Sequence, residues 1–93
     1  MSATDGTGDV ADLARYRANR QKEIDGAALY GALAGATADP ALAEVYRRLA
    51  ASEAAHARFW EERLRAAGQP VGPARPGWRP RLLGRLARRF GPA

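Results

Sequence analysis

Glu53 and His56 stand three residues apart in an Ala-rich stretch with helical periodicity, the spacing in this chain most suggestive of chemistry. Three residues on an α-helix subtend about 300°, so the carboxylate and the imidazole leave it on nearly the same side. Leu49, Trp60 and Arg63 flank the pair within a turn or two, which puts it on the apolar face. Glu44 and Glu62 fall about 180° away from Glu53 and read as solvated, and Glu61 as another surface charge. A carboxylate and an imidazole on a buried face are unfavourable unless something pairs them, and a metal ion does this well.

A third ligand comes from the preceding helical stretch, where Glu23 shares a face with Tyr16, Ala27, Tyr30 and Ala34. If the chain reverses near residue 38, Glu23 lies 15 residues before the turn and Glu53 lies 15 after it. At about 1.5 Å per residue, both then stand roughly 22 Å from the turn, level across a hairpin. His56 sits one turn further along and reaches the same point. Each glutamate also falls near the middle of its helix, so a two-fold axis there would bring a second Glu23, Glu53 and His56 to the same level. Two Glu and two Glu-x-x-His motifs on four helices form the ligand set of di-iron carboxylate bundles. Carboxylate and imidazole donors suit iron(II) and manganese(II), and with no cysteine in the chain a thiolate zinc site is excluded.

The leading expectation, which spacing alone does not fix, is that Glu53 would bridge and Glu23 and His56 would be terminal, holding two iron ions about 3.5–4 Å apart, with manganese as the alternative. Oxidation of both ions by oxygen or peroxide would make it a ferroxidase, while sensing or handing on iron would use the same ligands. Tyr30, two turns from Glu23 on the same face, is the candidate for a hydrogen bond to a ligand. Tyr16, Tyr46 and Trp60 read as core. The packing-only alternative is a core histidine hydrogen-bonded to Glu23 or Glu53 in a hairpin that dimerises without metal. That alternative leaves the glutamates short of cationic partners unless Arg20 or Arg63 turns inward, and both read as rim residues.

The elements that must position these groups can be read from punctuation. Residues 1–8 are small, polar and Gly-containing and read as disordered. A first helix is expected from about Asp9 to Ala36, with Leu13, Tyr16, Ile24, Ala27, Tyr30 and Leu33 at helical spacing. Gly26, Gly31 and Gly35 weaken it, or their small size allows close backbone approach. Asp39 and Pro40 suit the N-cap and first position of a second helix, which should stop at Gly68. Its apolar positions are Leu42, Val45, Tyr46, Leu49, Ser52, Phe59, Trp60 and Leu64. Two helices joined by so short a turn form an antiparallel hairpin. The fold expected is thus all-α: a hairpin over residues 9–67, half of a ferritin-like bundle, that dimerises into a four-helix bundle. Residues 68–77, rich in Pro and Gly, read as an extended linker.

Residues 78–93 carry a different pattern, a short basic amphipathic helix. Leu82, Leu83, Leu86 and Phe90 fall on one side, and Arg81, Arg85, Arg88 and Arg89 surround the rest. The net charge of +5 is concentrated here: residues 1–74 hold nine Lys/Arg against ten Asp/Glu, and residues 75–93 hold six Arg and no acid. Trp78, Arg79, Arg81, Arg85, Arg88 and Arg89 are the candidate contacts to a membrane surface or another anion. Arginine runs also meet nucleic-acid phosphates, but no recognised DNA or RNA motif accompanies this one, so no specific nucleic acid is expected. A solvated tail is the remaining alternative.

With 93 residues, one small domain is the limit, and self-association is a common route to stability at this size. No apolar run is long enough to span a bilayer, and residues 1–9 lack the pattern of a secretory signal. A cytoplasmic location is expected, with residues 78–93 at the cytoplasmic face of the membrane.

The segments Arg15–Glu23, Asp25–Tyr30, Leu42–Leu49 and Glu53–Trp60 resemble the rubrerythrin-like domain at the N-terminus of vacuolar-iron-transporter-type proteins. The likeness covers about residues 12–67 and continues weakly through 78–91. It implies a cytosolic ferritin-like domain with Glu23, Glu53 and His56 as iron ligands, partnered by a membrane iron transporter. The ligand arrangement is also similar to that of half-sized encapsulated ferritins, which build a di-iron site across a homodimer or a larger assembly of dimers. In the transporter family a membrane domain moves the metal. Residues 1–93 hold no such domain, so transport is not assigned to them.

Overall fold

The computed structural model describes residues 10–90, so the expectations for residues 1–9 and 91–93 lie outside the described residues. Among the described residues the secondary structure is entirely helical: α1 (Val10–Ala36), α2 (Pro40–Ala66) and α3 (Trp78–Phe90). The all-α expectation and the antiparallel pairing of the first two helices hold.

Local chemistry explains the boundaries. The Asp39 carboxylate accepts from the backbone N–H groups of Ala41 at 2.9 Å and Leu42 at 3.4 Å, and Pro40 opens α2, where no amide hydrogen is needed. At the other end, Gly68 adopts φ +77°, which lets its N–H reach Arg65 O and the Gln69 N–H reach Leu64 O, both at 2.9 Å. These bonds satisfy carbonyls that the ended helix would leave open.

The α1–α2 core is thin. Leu13, Ile24 and Ala34 of α1 and Ala43, Ala57 and Leu64 of α2 are buried, and Leu64 is the most enclosed. Aromatic stacking thickens it at two levels. Tyr16 and Trp60 stack with centroids 5.6 Å apart, and Tyr30 and Tyr46 stack at 6.2 Å. Like Glu23 and Glu53, the members of each pair lie equally far in sequence from Ala38. The three layers are seven residues apart along each helix, about 10 Å, and the glutamates form the middle one.

The linker is irregular, as its prolines dictate, but it is docked rather than free. It runs alongside α1 in the same direction. Arg17 donates to the Gln69 side chain at 2.6 Å, Arg20 to Gly72 O at 2.7 Å and Gln21 to Arg75 O at 2.9 Å. The Gly77 N–H donates to Asp25 at 2.8 Å, which sets a carboxylate at the positive N-terminus of α3. From there α3 packs on α1, with Pro80 and Gly84 buried and bordering Ala28 and Ala32. The contact is close enough that a Cβ at position 84 would lie 2.7 Å from that of Ala32.

Candidate metal centre

Glu23, Glu53 and His56 meet midway along the hairpin. The His56 Nδ1 lies 3.3 Å from Glu23 Oε2 and 3.7 Å from Glu53 Oε1. One potential ligand atom from each residue falls within 4.8 Å of the others, and no other such group exists among the described residues. The turn of the hairpin brings the carboxylates level, and the helical repeat brings His56 to them.

The two carboxylates repel. Glu53 is held above its ordinary value of 4.5, chiefly by a hydrogen bond with Glu23 that favours its protonated form. Burial and the Glu23 charge push the same way, while His56 pulls it back. Among the described residues, neither glutamate has a Lys or Arg partner. Arg20 is committed to Glu61 at 2.9 Å, and Arg63 lies over the rings of Tyr16 and Phe59 at 5.6 and 5.3 Å. Neither arginine reaches the glutamates, and the Arg20 side chain, expected at the rim, is largely covered in its pair with Glu61. Glu61, expected as an ordinary surface charge, is instead largely covered in its pair with Arg20.

Burial of the three groups is uneven. The side chains of Glu23 and Glu53 are 18% and 26% exposed, whereas that of His56 is 59% exposed. The expectation of a buried Glu-x-x-His pair is therefore corrected for the single chain: Glu53 turns toward α1, and His56 sits one angular step round toward solvent. The strip of α2 around it carries Leu42, Val45, Leu49, Ser52, His56, Phe59 and Arg63, all exposed. Their spacing alternates three and four residues, the pattern of a helix–helix seam, and His56 lies near its middle.

Gly26 is a neighbour of the site that periodicity did not single out. A Cβ there would lie 3.1 Å from both Cδ and Oε2 of Glu53, so the bare backbone of α1 makes room for that carboxylate. A glycine near the centre of an otherwise helical stretch was the available signal. Tyr30 stacks on Tyr46, one layer from the carboxylates. The arginines and Trp78 of α3 belong to a helix that packs on α1, away from this centre.

Donor chemistry fits a divalent cation such as iron(II) or manganese(II): two carboxylate oxygens and an imidazole nitrogen, convergent and short of positive charge. Comparison with protein-family models, curated proteins and solved structures finds no match for this chain.

Proposed function

We propose that this chain is an iron-binding ferritin-like module whose hairpin pairs with a second copy through the α2 seam. Glu23, Glu53 and His56 of each copy would together hold a di-iron carboxylate centre, with manganese as the competing ion. The observation that carries this reading is the convergence of three ligand atoms within 4.8 Å, between two aromatic layers and without a Lys or Arg counter-charge. Two supports accompany it. The resemblance of residues 12–67 to rubrerythrin-like domains assigns the same three residues to iron, and the solvent-facing His56 stands on an unpaired apolar seam.

Bound iron supplies one-electron chemistry toward oxygen or peroxide, and the reading covers ferroxidase-type oxidation as well as sensing or handling of iron. The chain's own groups do the rest. Glu23 and Glu53 would hold the ion through their carboxylates. His56 would add an imidazole nitrogen from the seam side. Tyr16 with Trp60 and Tyr30 with Tyr46 flank the carboxylates above and below.

Anaerobic iron(II) titration with native mass measurement tests this directly. A dimer with about two irons per pair, and a ferric-oxo absorbance band on admitting air, is expected. A dimer that forms without iron and binds none above background would leave a packing module, the second reading that the seam supports by itself.

A further inference from the structure

An amphipathic helix that joins a core normally buries its apolar stripe. Helix α3 does the reverse. It meets α1 along its small-residue edge, with Pro80 and Gly84 buried and Ala87 half-buried, and leaves its large apolar residues outside. Leu82, Leu83 and Leu86 are exposed, Phe90 is 72% exposed and Trp78 is 66% exposed.

Four of the five arginines of α3 are grouped on one side. At about 100° per residue, Leu82, Leu86, Phe90 and Leu83 span one flank, with Arg79 of the first turn among them, and Arg88, Arg81, Arg85 and Arg89 span the other. Trp78 falls between Arg85 and Arg89 in angle and forms a shallow groove with Arg81, Leu82 and Arg85. No acidic residue occurs in α3 to neutralise these arginines, and Arg79 and Arg89 lie over the Trp78 and Phe90 rings rather than against carboxylates. The tight Gly84–Ala32 contact and the Asp25–Gly77 bond hold the helix on α1, so the outward surface is presented rather than free to fold under. No described helix is long and apolar enough to cross a membrane.

We propose that α3 is a docking face for an anionic lipid bilayer, on which it lies in the plane of the interface. Leu82, Leu83, Leu86 and Phe90 enter the acyl boundary, the arginines meet lipid phosphates, and Trp78 sits at headgroup level. An apolar flank interrupted only by Arg79 at its first turn, beside a basic flank with no counter-charge, is what an anionic interface complements. Duplex nucleic acid would use the arginines and leave the apolar flank in water. The inference rests on α3 alone and does not depend on metal binding.

The test uses the full chain with vesicles of phosphatidylcholine alone or with phosphatidylglycerol, followed by co-sedimentation. Emission of Trp78 is read in a Trp60→Phe background, which leaves it as the single tryptophan. Binding to the anionic vesicles, weakened by salt and accompanied by a blue shift of Trp78, is expected. Leu82→Asp with Leu86→Asp should lower partitioning by at least about tenfold, and each of Arg85→Gln and Arg88→Gln by about fivefold. These side chains are exposed, and an unchanged circular dichroism spectrum checks that the helices persist. The proposal is overturned by no binding to anionic vesicles at low salt, or by binding that survives the double Leu→Asp change. A shift of oligomeric mass in that double variant would also overturn it, because the face would then lie between copies.

Discussion

Glu23 makes it harder for the neighbouring Glu53 to carry its charge. A carboxyl held above 4.5 in the folded state favours its protonated form there. Its stabilising effect on the metal-free protein is complete below the unfolded value and is lost as pH rises through the folded one. Thermal midpoints of the metal-free protein should therefore fall across that window, and Glu53→Gln should flatten the profile and leave the protein no less stable near neutrality. Circular dichroism melts at a series of pH values read this directly. The same substitution should abolish tight iron(II) binding. Gly26→Ala separates packing from ligation. It raises helix propensity by up to about 1 kcal/mol, yet its methyl crowds the Glu53 carboxylate. We expect an equal or higher melting temperature with metal affinity lowered about tenfold, as for other changes beside a ligand. Unchanged affinity would show that Glu53 moves aside without loss.

Each helix presents more than one face, and the faces do different work. α1 meets α2 through the aromatic and carboxylate layers and α3 through Ala28 and Ala32. α2 turns Ala43, Ala57 and Leu64 inward while its seam stays open. A charge in that seam is the cleanest probe of pairing. Val45→Asp and Leu49→Asp alter exposed residues, so the hairpin should keep its helicity while sedimentation shifts toward monomer and iron stoichiometry falls. A variant that still pairs and still loads two irons per dimer would move the interface elsewhere. The start of α2 gives a stability prediction: Asp39→Ala removes the acceptor for two N–H groups and should cost about 1 kcal/mol in denaturant unfolding.

Across the whole molecule, metal, pairing and stability should be linked. An ion that binds the folded pair and not the unfolded chain raises stability by about 2.7 kcal/mol at a hundredfold excess over its dissociation constant. Anaerobic melts with iron(II) should therefore show a midpoint that rises with metal concentration, and the rise should vanish in Glu53→Gln. The docked linker and α3 cover a further side of α1, held by Arg17, Arg20, Gln21 and Asp25. One small chain thus carries two surfaces with separate chemistry, the α2 seam and the outward face of α3.

What could be known from the residues alone was whatever depends on distance along the chain. The rise and repeat of a helix are constant, so a turn at Asp39–Pro40 sufficed to set Glu23 level with Glu53 and His56 beside them. Capping rests on one or two neighbouring residues, and it put the ends of α2 where Asp39 and Gly68 stand. The amphipathic pattern of α3 was equally plain. Only the tertiary structure decided how far each face turns toward its neighbour. It left His56 exposed on an open seam rather than buried, drew Arg20 to Glu61 and away from the glutamates, and docked the Pro-rich linker on α1. It also seated α3 by its smallest residues instead of its largest. These outcomes depend on the rotation of one helix against another and on contacts between residues more than forty apart, and periodicity along one strand of sequence carries neither.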